Sequence, residues 1–200
     1  MPPKPLRIVW LEINSSYAHA SIVPALLAAA MPVSVAVSWT VVRGTVGGKP
    51  GEWARKIAAA APDIVAGTLY LFNRGAVLGV AARVHALLPS CRIAVGGPEC
   101  SGDNRELLAR HPIAAAFRGE GEVSFGLWLQ SLDDPRSWPQ IPGLCHLDAA
   151  GTYRDDGTTP QWAGFARSQL DSAASLLPVD RPFLHYETTR GCVGRCAFCA

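Results

Sequence analysis

The chain has 200 residues, of which 49% are hydrophobic and 17% charged, with a net charge of +2. That length suits one ordinary domain plus an appendage, and the composition excludes a disordered chain. The mild basicity gives no argument for a nucleic-acid groove, because Lys4, Lys49 and Lys56 are the only lysines and the arginines are scattered rather than clustered into a stripe.

The first element in chain order is RIVWLEI (7–13), apolar on both faces as a central parallel strand requires. It lacks the layout of a signal peptide. The apolar run that follows it to Ala30 is interrupted by His19 and Pro24 and is too short to span a bilayer. A cytoplasmic protein is therefore the expectation. Further strands are predicted at VSVAVSWTVV (33–42), DIVAG (63–67), RIAVGG (92–97) and IAAAF (113–117). Helices are predicted between them near 21–30, 52–60, 75–88, 103–110 and 121–131. Pro24 belongs in a first helical turn, which makes Ser21 the expected N-cap and 14–20 a long loop. Five strand-then-helix units give an α/β fold, a doubly wound five-stranded parallel sheet of Rossmann or flavodoxin type, over residues 1–132.

Such sheets bind ligands beyond the C-terminal ends of their strands. Four loops open on that edge: NSSYAHAS (14–21), TLYLFNRG (68–75), GGPE (96–99) and RGEGE (118–122). Each has a plain structural reading, GGP as an ordinary turn and RGEGE as an acidic helix start. Together they form a ligand rim. The fingerprint G-x-G-x-x-G is absent after the first strand, which argues against an NAD domain.

Residues 133–182 read as a linker. Pro and Trp punctuate 133–143, and two short alternating runs around Ala-Ala-Gly at 141–157 predict a β-hairpin. Three of the six cysteines then fall within the last nine residues, as Cys192-x3-Cys196-x2-Cys199. Thiols stay reduced in the cytoplasm, so a tight cluster there points to metal or redox chemistry rather than disulfides. Three thiolates on one short loop can converge on one metal centre. Zinc wants a fourth ligand, and His185 does not have zinc-knuckle spacing. A 4Fe–4S cluster held by three thiolates keeps one iron open for a substrate or cofactor atom. Structural thiols are the third reading.

This loop resembles the radical S-adenosylmethionine (radical SAM) family in its cysteine spacing, in Phe198 before the last cysteine, and in the lead-in Glu187-Thr188-Thr189-Arg190-Gly191. The resemblance implies that HYETT (185–189) is the first strand of a partial β/α barrel beginning at 183–200. It implies that Cys192, Cys196 and Cys199 hold a 4Fe–4S cluster, and that Phe198 lies near S-adenosylmethionine. The open iron would chelate the amino and carboxylate groups of S-adenosylmethionine, and one electron would cleave its sulfonium bond to give a 5′-deoxyadenosyl radical.

The preceding domain, with its GGPE and RGEGE loops and the Asn-Ser-x-Tyr-x-His-like run at 14–19, resembles that of the cobalamin-binding radical SAM proteins. That implies a corrin lined by Gly96, Gly97, Pro98 and Glu99, with Gly119, Glu120 and Gly121 beside its edge. Asn14, Ser15, Ser16, Tyr17 and Thr68 would face the nucleotide tail or the corrin side chains. Glycines admit a bulky macrocycle to the backbone, and small polar side chains hydrogen-bond its amides and phosphate. An Asp-x-His-x-x-Gly motif is absent, which implies cobalt without a histidine ligand. His19, His85, His111, His146 and His185 are read as packing or surface residues, and Cys91, Cys100 and Cys145 as inert thiols.

The expected function is that of a cobalamin-dependent radical SAM enzyme, a methyltransferase or related radical enzyme. It would use cobalamin, a 4Fe–4S cluster, S-adenosylmethionine and an electron donor such as flavodoxin or ferredoxin, with no nucleic acid and no membrane. A barrel for S-adenosylmethionine needs roughly 150–200 further residues. This chain is therefore expected to be a fragment without turnover and without catalytic residues of its own. A stand-alone cobalamin carrier with a vestigial cysteine tail is the alternative, and a zinc-dependent interaction module a third.

Overall fold

The computed structural model describes residues 4–161, 164, 171, 173–183, 187 and 190. Seven strands form one sheet in the order β2-β1-β3-β4-β5-β6-β7. The first five to appear in the chain are parallel: β1 (Leu6–Asn14), β2 (Val37–Thr45), β3 (Ile64–Thr68), β4 (Arg92–Gly96) and β5 (Ala115–Phe117). Along β1 the side chains alternate between faces, and both faces are covered. Val9, Leu11 and Ile13 pack with α2 (Pro50–Ala59), α3 (Arg74–Leu87) and α4 (Arg105–Arg110). Ile8 and Trp10 pack with α1 (Val23–Ala29) and α5 (Gly121–Gln130). Helices on both faces make the fold doubly wound, and its strand order changes direction between β1 and β3.

The expected five-stranded sheet is corrected to seven strands. β5 has only three residues, all buried, and its outer edge would otherwise expose unpaired backbone. The apolar first strand of the hairpin, β6 (Leu144–Leu147), pairs antiparallel with it, Ala116 opposite Cys145 and Phe117 opposite Leu144. β7 (Tyr153–Arg154) then closes the edge. Before the hairpin, a 3₁₀ turn at Pro135–Gln140 buries Trp138, whose ring meets Trp128 at 6.0 Å and His146 at 5.3 Å.

Two boundaries also move. β2 begins at Val37 rather than at residue 33, because the Val35 N–H closes a turn on the Pro32 carbonyl at 2.9 Å and leaves Val33 fully exposed. It runs on to Thr45 because β1, its partner, extends to Asn14. In α1 the flanking residue is Ile22, not Ser21. The Ser21 hydroxyl still accepts the Val23 N–H at 3.1 Å, while its own N–H donates to Glu12 Oε1 at 2.8 Å. Pro24 does sit in the first turn. Among the described residues no helix is long and apolar enough to cross a membrane.

Candidate functional site

A cavity of about 790 Å³ opens between α1 and α5, over the C-terminal ends of β1, β3, β4 and β5. Its floor owes its depth to small side chains. Trp10, Ala66, Ala94 and Ala115 stand opposite one another across four strands, and the two middle alanines line the cavity. Larger aliphatic residues there would fill the space beneath the two helices. Leu26 and Leu27 of α1 form one wall, and Glu122 and Phe125 of α5 the other.

Of the sequence-predicted residues, Asn14, Ser15, Thr68, Gly96, Gly97, Gly119, Glu120 and Gly121 line this cavity. Ser16, Tyr17, Pro98 and Glu99 are not among its lining residues. Tyr17 is largely exposed. Pro98 opens a 3₁₀ turn at Pro98–Cys100, where the Glu99 N–H donates to Leu69 O at 3.2 Å and its carboxylate meets Arg74 at 3.6 Å. These contacts tie the GGPE loop to the end of β3. Cys192, Cys196, Cys199, Phe198 and His185 lie outside the described residues.

The four rim glycines divide into two kinds. Gly97 and Gly119 have positive φ, 97° and 70°. A Cβ would come within 2.4 Å of Thr68 Cγ2 at Gly97 and within 2.7 Å of Pro160 O at Gly119, so the protein's own backbone and packing demand glycine at both. Gly96 and Gly121 carry no such demand. An added Cβ would meet nothing closer than 3.6 Å and 3.7 Å, and each missing side chain leaves room along the cavity wall.

Buried polar groups hold the loops in place. Glu12 is 3% exposed. Its Oε1 accepts the Asn14 amide at 2.7 Å and the Ser21 N–H at 2.8 Å, and Asn14 also donates to His19 O at 2.8 Å, which closes the 14–21 loop. Asn73 does the same for the TLYLFN loop. Its amide donates to Ile13 O and Thr68 O at 3.0 and 3.1 Å, and its oxygen accepts the Tyr70 N–H at 2.9 Å. That arrangement leaves Tyr70 and Phe72 stacked at 5.3 Å on the rim.

The RGEGE turn is held from two sides. Arg118 forms a two-pronged ion pair with Asp155 of the hairpin segment and donates to Gly102 O at 2.9 Å, and the Tyr153 hydroxyl donates to Asp155 at 2.9 Å. Burial alone would raise the Asp155 carboxyl. The Gly157 N–H, Arg118 and Tyr153 outweigh it and hold the group below its ordinary value. On the other side, Arg190 reaches Glu122 Oε1 at 2.6 Å, Glu187 Oε2 at 2.9 Å and Glu120 Oε2 at 3.4 Å. Burial works against the Arg190 charge, but the bonds to Glu122 and Glu187 prevail and raise its pKa. Glu120, Glu122, Glu187 and Arg190 all border the cavity.

The alanine floor and this arginine clamp were not among the sequence-predicted features. The floor is legible only once Ala66 and Ala94 are placed in register. The clamp joins residues some seventy positions apart. Elsewhere, burial pushes the Cys91 thiol up to about 11 and the Cys100 thiol to about 12, which leaves both unreactive at neutral pH. No group of three or more His, Cys, Asp or Glu suited to a metal ion occurs among the described residues.

No protein-family model matches the chain. It is 30% identical over 148 residues to the 2-(S-pantetheinyl)-carbapenam-3-carboxylate methyltransferase of Streptantibioticus cattleyicolor, covering 69% of this chain and 22% of that protein. It is 28% identical over 149 residues to an uncharacterized methyltransferase of Pyrococcus horikoshii, covering 70% of this chain and 31% of that protein. The chain thus spans between about a fifth and a third of these relatives' length. Among solved structures, OxsB, a cobalamin-dependent S-adenosylmethionine radical enzyme with aqua-cobalamin and S-adenosylmethionine bound, matches with a TM-score of 0.65 and 14% identity, over 78% of this chain and 23% of that one. TsrM from Kitasatospora setae, a radical S-adenosylmethionine methyltransferase with cobalamin and a 4Fe–4S cluster bound, matches with a TM-score of 0.54 and 17% identity, over 79% of this chain and 30% of that one. At these identities the likeness establishes a shared fold.

Proposed function

We propose that the cavity is a cobalamin site and that the chain carries the cobalamin-binding domain of a cobalamin-dependent radical SAM methyltransferase. The observation that carries this reading is the cavity itself. It sits on the strand edge expected of the fold, over an alanine floor, with Gly96 and Gly121 lacking side chains that the protein's own packing would tolerate. A wall relieved of side chains in this way fits a large ligand pressed against the backbone. Ser15 and Thr68 offer hydroxyls to its amides or phosphate, and Trp10, Ala66 and Ala94 offer a flat apolar bed to its base. Asn14 shapes the neighbouring loop.

Bound cobalamin would supply a methyl carrier, and a 4Fe–4S cluster on Cys192, Cys196 and Cys199 would supply the electron that cleaves S-adenosylmethionine. The donor set fits that cluster in kind and number, three thiolates with one iron left open. The methyltransferase names of the curated relatives and the cofactors held by the two solved enzymes support the reading. Chemistry would require a barrel that holds S-adenosylmethionine and an electron donor such as flavodoxin or ferredoxin. This chain's share is to bind, orient and shield.

The test is a visible-light titration of the purified chain with aquacobalamin, beside Ala94→Leu. Binding by the wild type is expected, weakened at least about tenfold when leucine fills the floor, since pockets discriminate single methylenes by that much. Anaerobic iron and sulfide should also give a brown, broadly absorbing protein. A chain that ignores aquacobalamin, or an Ala94→Leu variant that binds it unchanged, would refute the cavity assignment. A colourless protein that retains zinc would refute the cluster.

A further inference from the structure

We infer that Arg190 is a positioning residue that couples occupancy of the cavity to the placement of the cysteine segment. The inference rests on the cobalamin reading above and extends it to how the two proposed cofactor sites communicate. Arg190 stands two residues before Cys192, so the chain allows at most about 7 Å between their Cα atoms. Among the described residues, three carboxylates from two parts of the chain hold its guanidinium. Glu122, in the first turn of α5, accepts at 2.6 Å, and Glu120, which flanks that helix, at 3.4 Å. Glu187, from the cysteine lead-in itself, accepts at 2.9 Å.

Two features make this more than a surface ion pair. The Glu122 side chain is only 8% exposed and that of Arg190 22%, so the contact is largely shielded from solvent and from salt. The clamp also belongs to the cavity wall, since Glu120, Glu122, Glu187 and Arg190 all line it. A ligand that fills the cavity must touch, or closely approach, the same turn that grips the cysteine lead-in. Whatever the ligand gains by ordering that turn, it transmits to the lead-in. By reciprocity, fixing the lead-in favours the ligand by the same factor. Arginine suits the task because its planar fork engages several carboxylate oxygens at once, whereas lysine offers a point charge.

The experiment is hydrogen exchange on the full chain with and without saturating aquacobalamin, read on peptides covering residues 187–200. In the wild type the corrin should slow exchange in this segment by about fivefold or more, the lower end of ordinary coupling. Arg190→Gln should lose that response. Because Arg190→Gln leaves Glu122 buried and unpaired, the double variant Arg190→Gln/Glu122→Gln, in which both groups are neutral, is the decisive sample. It should melt near the wild-type temperature, bind aquacobalamin about fivefold more weakly, as reciprocity requires, and when saturated still fail to protect 187–200. Arg190→Lys should recover part of the protection. Protection that persists in the double variant, or a wild type that binds aquacobalamin without protecting this segment, would overturn the coupling alone. A wild type that does not bind aquacobalamin would overturn the coupling together with the cavity assignment.

Discussion

Neutralising Asp155 should cost this domain more than any comparable change in its surface carboxylates. Asp155→Asn leaves the Arg118 guanidinium without its counter-charge in a place where the two side chains are only 10% and 14% exposed. Removing one partner of a buried pair costs about 3–5 kcal/mol, because the remaining charge stays desolvated. The surviving bond from Arg118 to Gly102 O and the residual exposure place the expected loss at the lower end, about 3 kcal/mol. At this size each kcal/mol moves the melting temperature by about 2–4 °C, so the shift should be roughly 6–12 °C downward. Urea unfolding with an unchanged slope and calorimetric melting measure it. Arg118→Met and the double variant complete a cycle, and the double loss should fall well short of the sum of the single losses. Because Arg118 opens the RGEGE turn and its N–H donates to Gly143 O at 2.8 Å, aquacobalamin affinity should fall as well. A loss below about 1 kcal/mol, the value of an exposed pair, would show that the hairpin is not latched through this contact.

Two further outcomes are expected. Asn73→Ala removes three hydrogen bonds at the base of the TLYLFN loop and should cost about 2–3 kcal/mol, seen as a lower urea midpoint. His146 is buried against Trp138, and burial lowers its pKa below the ordinary 6.5. The folded state therefore resists a proton that the unfolded chain accepts. Its stabilising contribution is complete above pH 6.5 and is lost as pH falls toward the folded value, at no more than about 1.4 kcal/mol per pH unit. Urea midpoints between pH 7.5 and 5 should show that slope, and His146→Phe should reduce it.

Much of the fold was legible because periodicity and burial agree. RIVWLEI is apolar throughout because β1 has helices on both faces, and the five α/β units fall within a few residues of their predicted places. The hairpin also announced itself, but its partner did not. Nothing local in LCHL says that it will pair with β5, since that pairing answers an exposed edge elsewhere. The candidate site divides the same way. Loops beyond strand ends can be read from the sequence, which is how Gly96, Gly121, Ser15 and Thr68 were found. Trp10, Ala66 and Ala94 could not be, because the space a strand residue leaves is known only once its cross-strand neighbours are known. The RGEGE segment does start a helix with an acid in its first turn, but nothing local says that Glu122 also pairs with Arg190.

The position of β1 also bears on how the protein is made. It precedes both of its neighbours in the chain, yet it lies between β2 and β3, and its second neighbour is complete only at Thr68. At ordinary translation rates of about 5–20 residues per second, that leaves the strand without its full set of partners for roughly 3–11 s. Throughout that interval Ile8, Val9, Trp10, Leu11 and Ile13, all at most 3% exposed in the finished fold, have nowhere to be buried. Nascent chains arrested before β3 would display this strand as a ready template for aggregation, and a holdase would find its clearest target there.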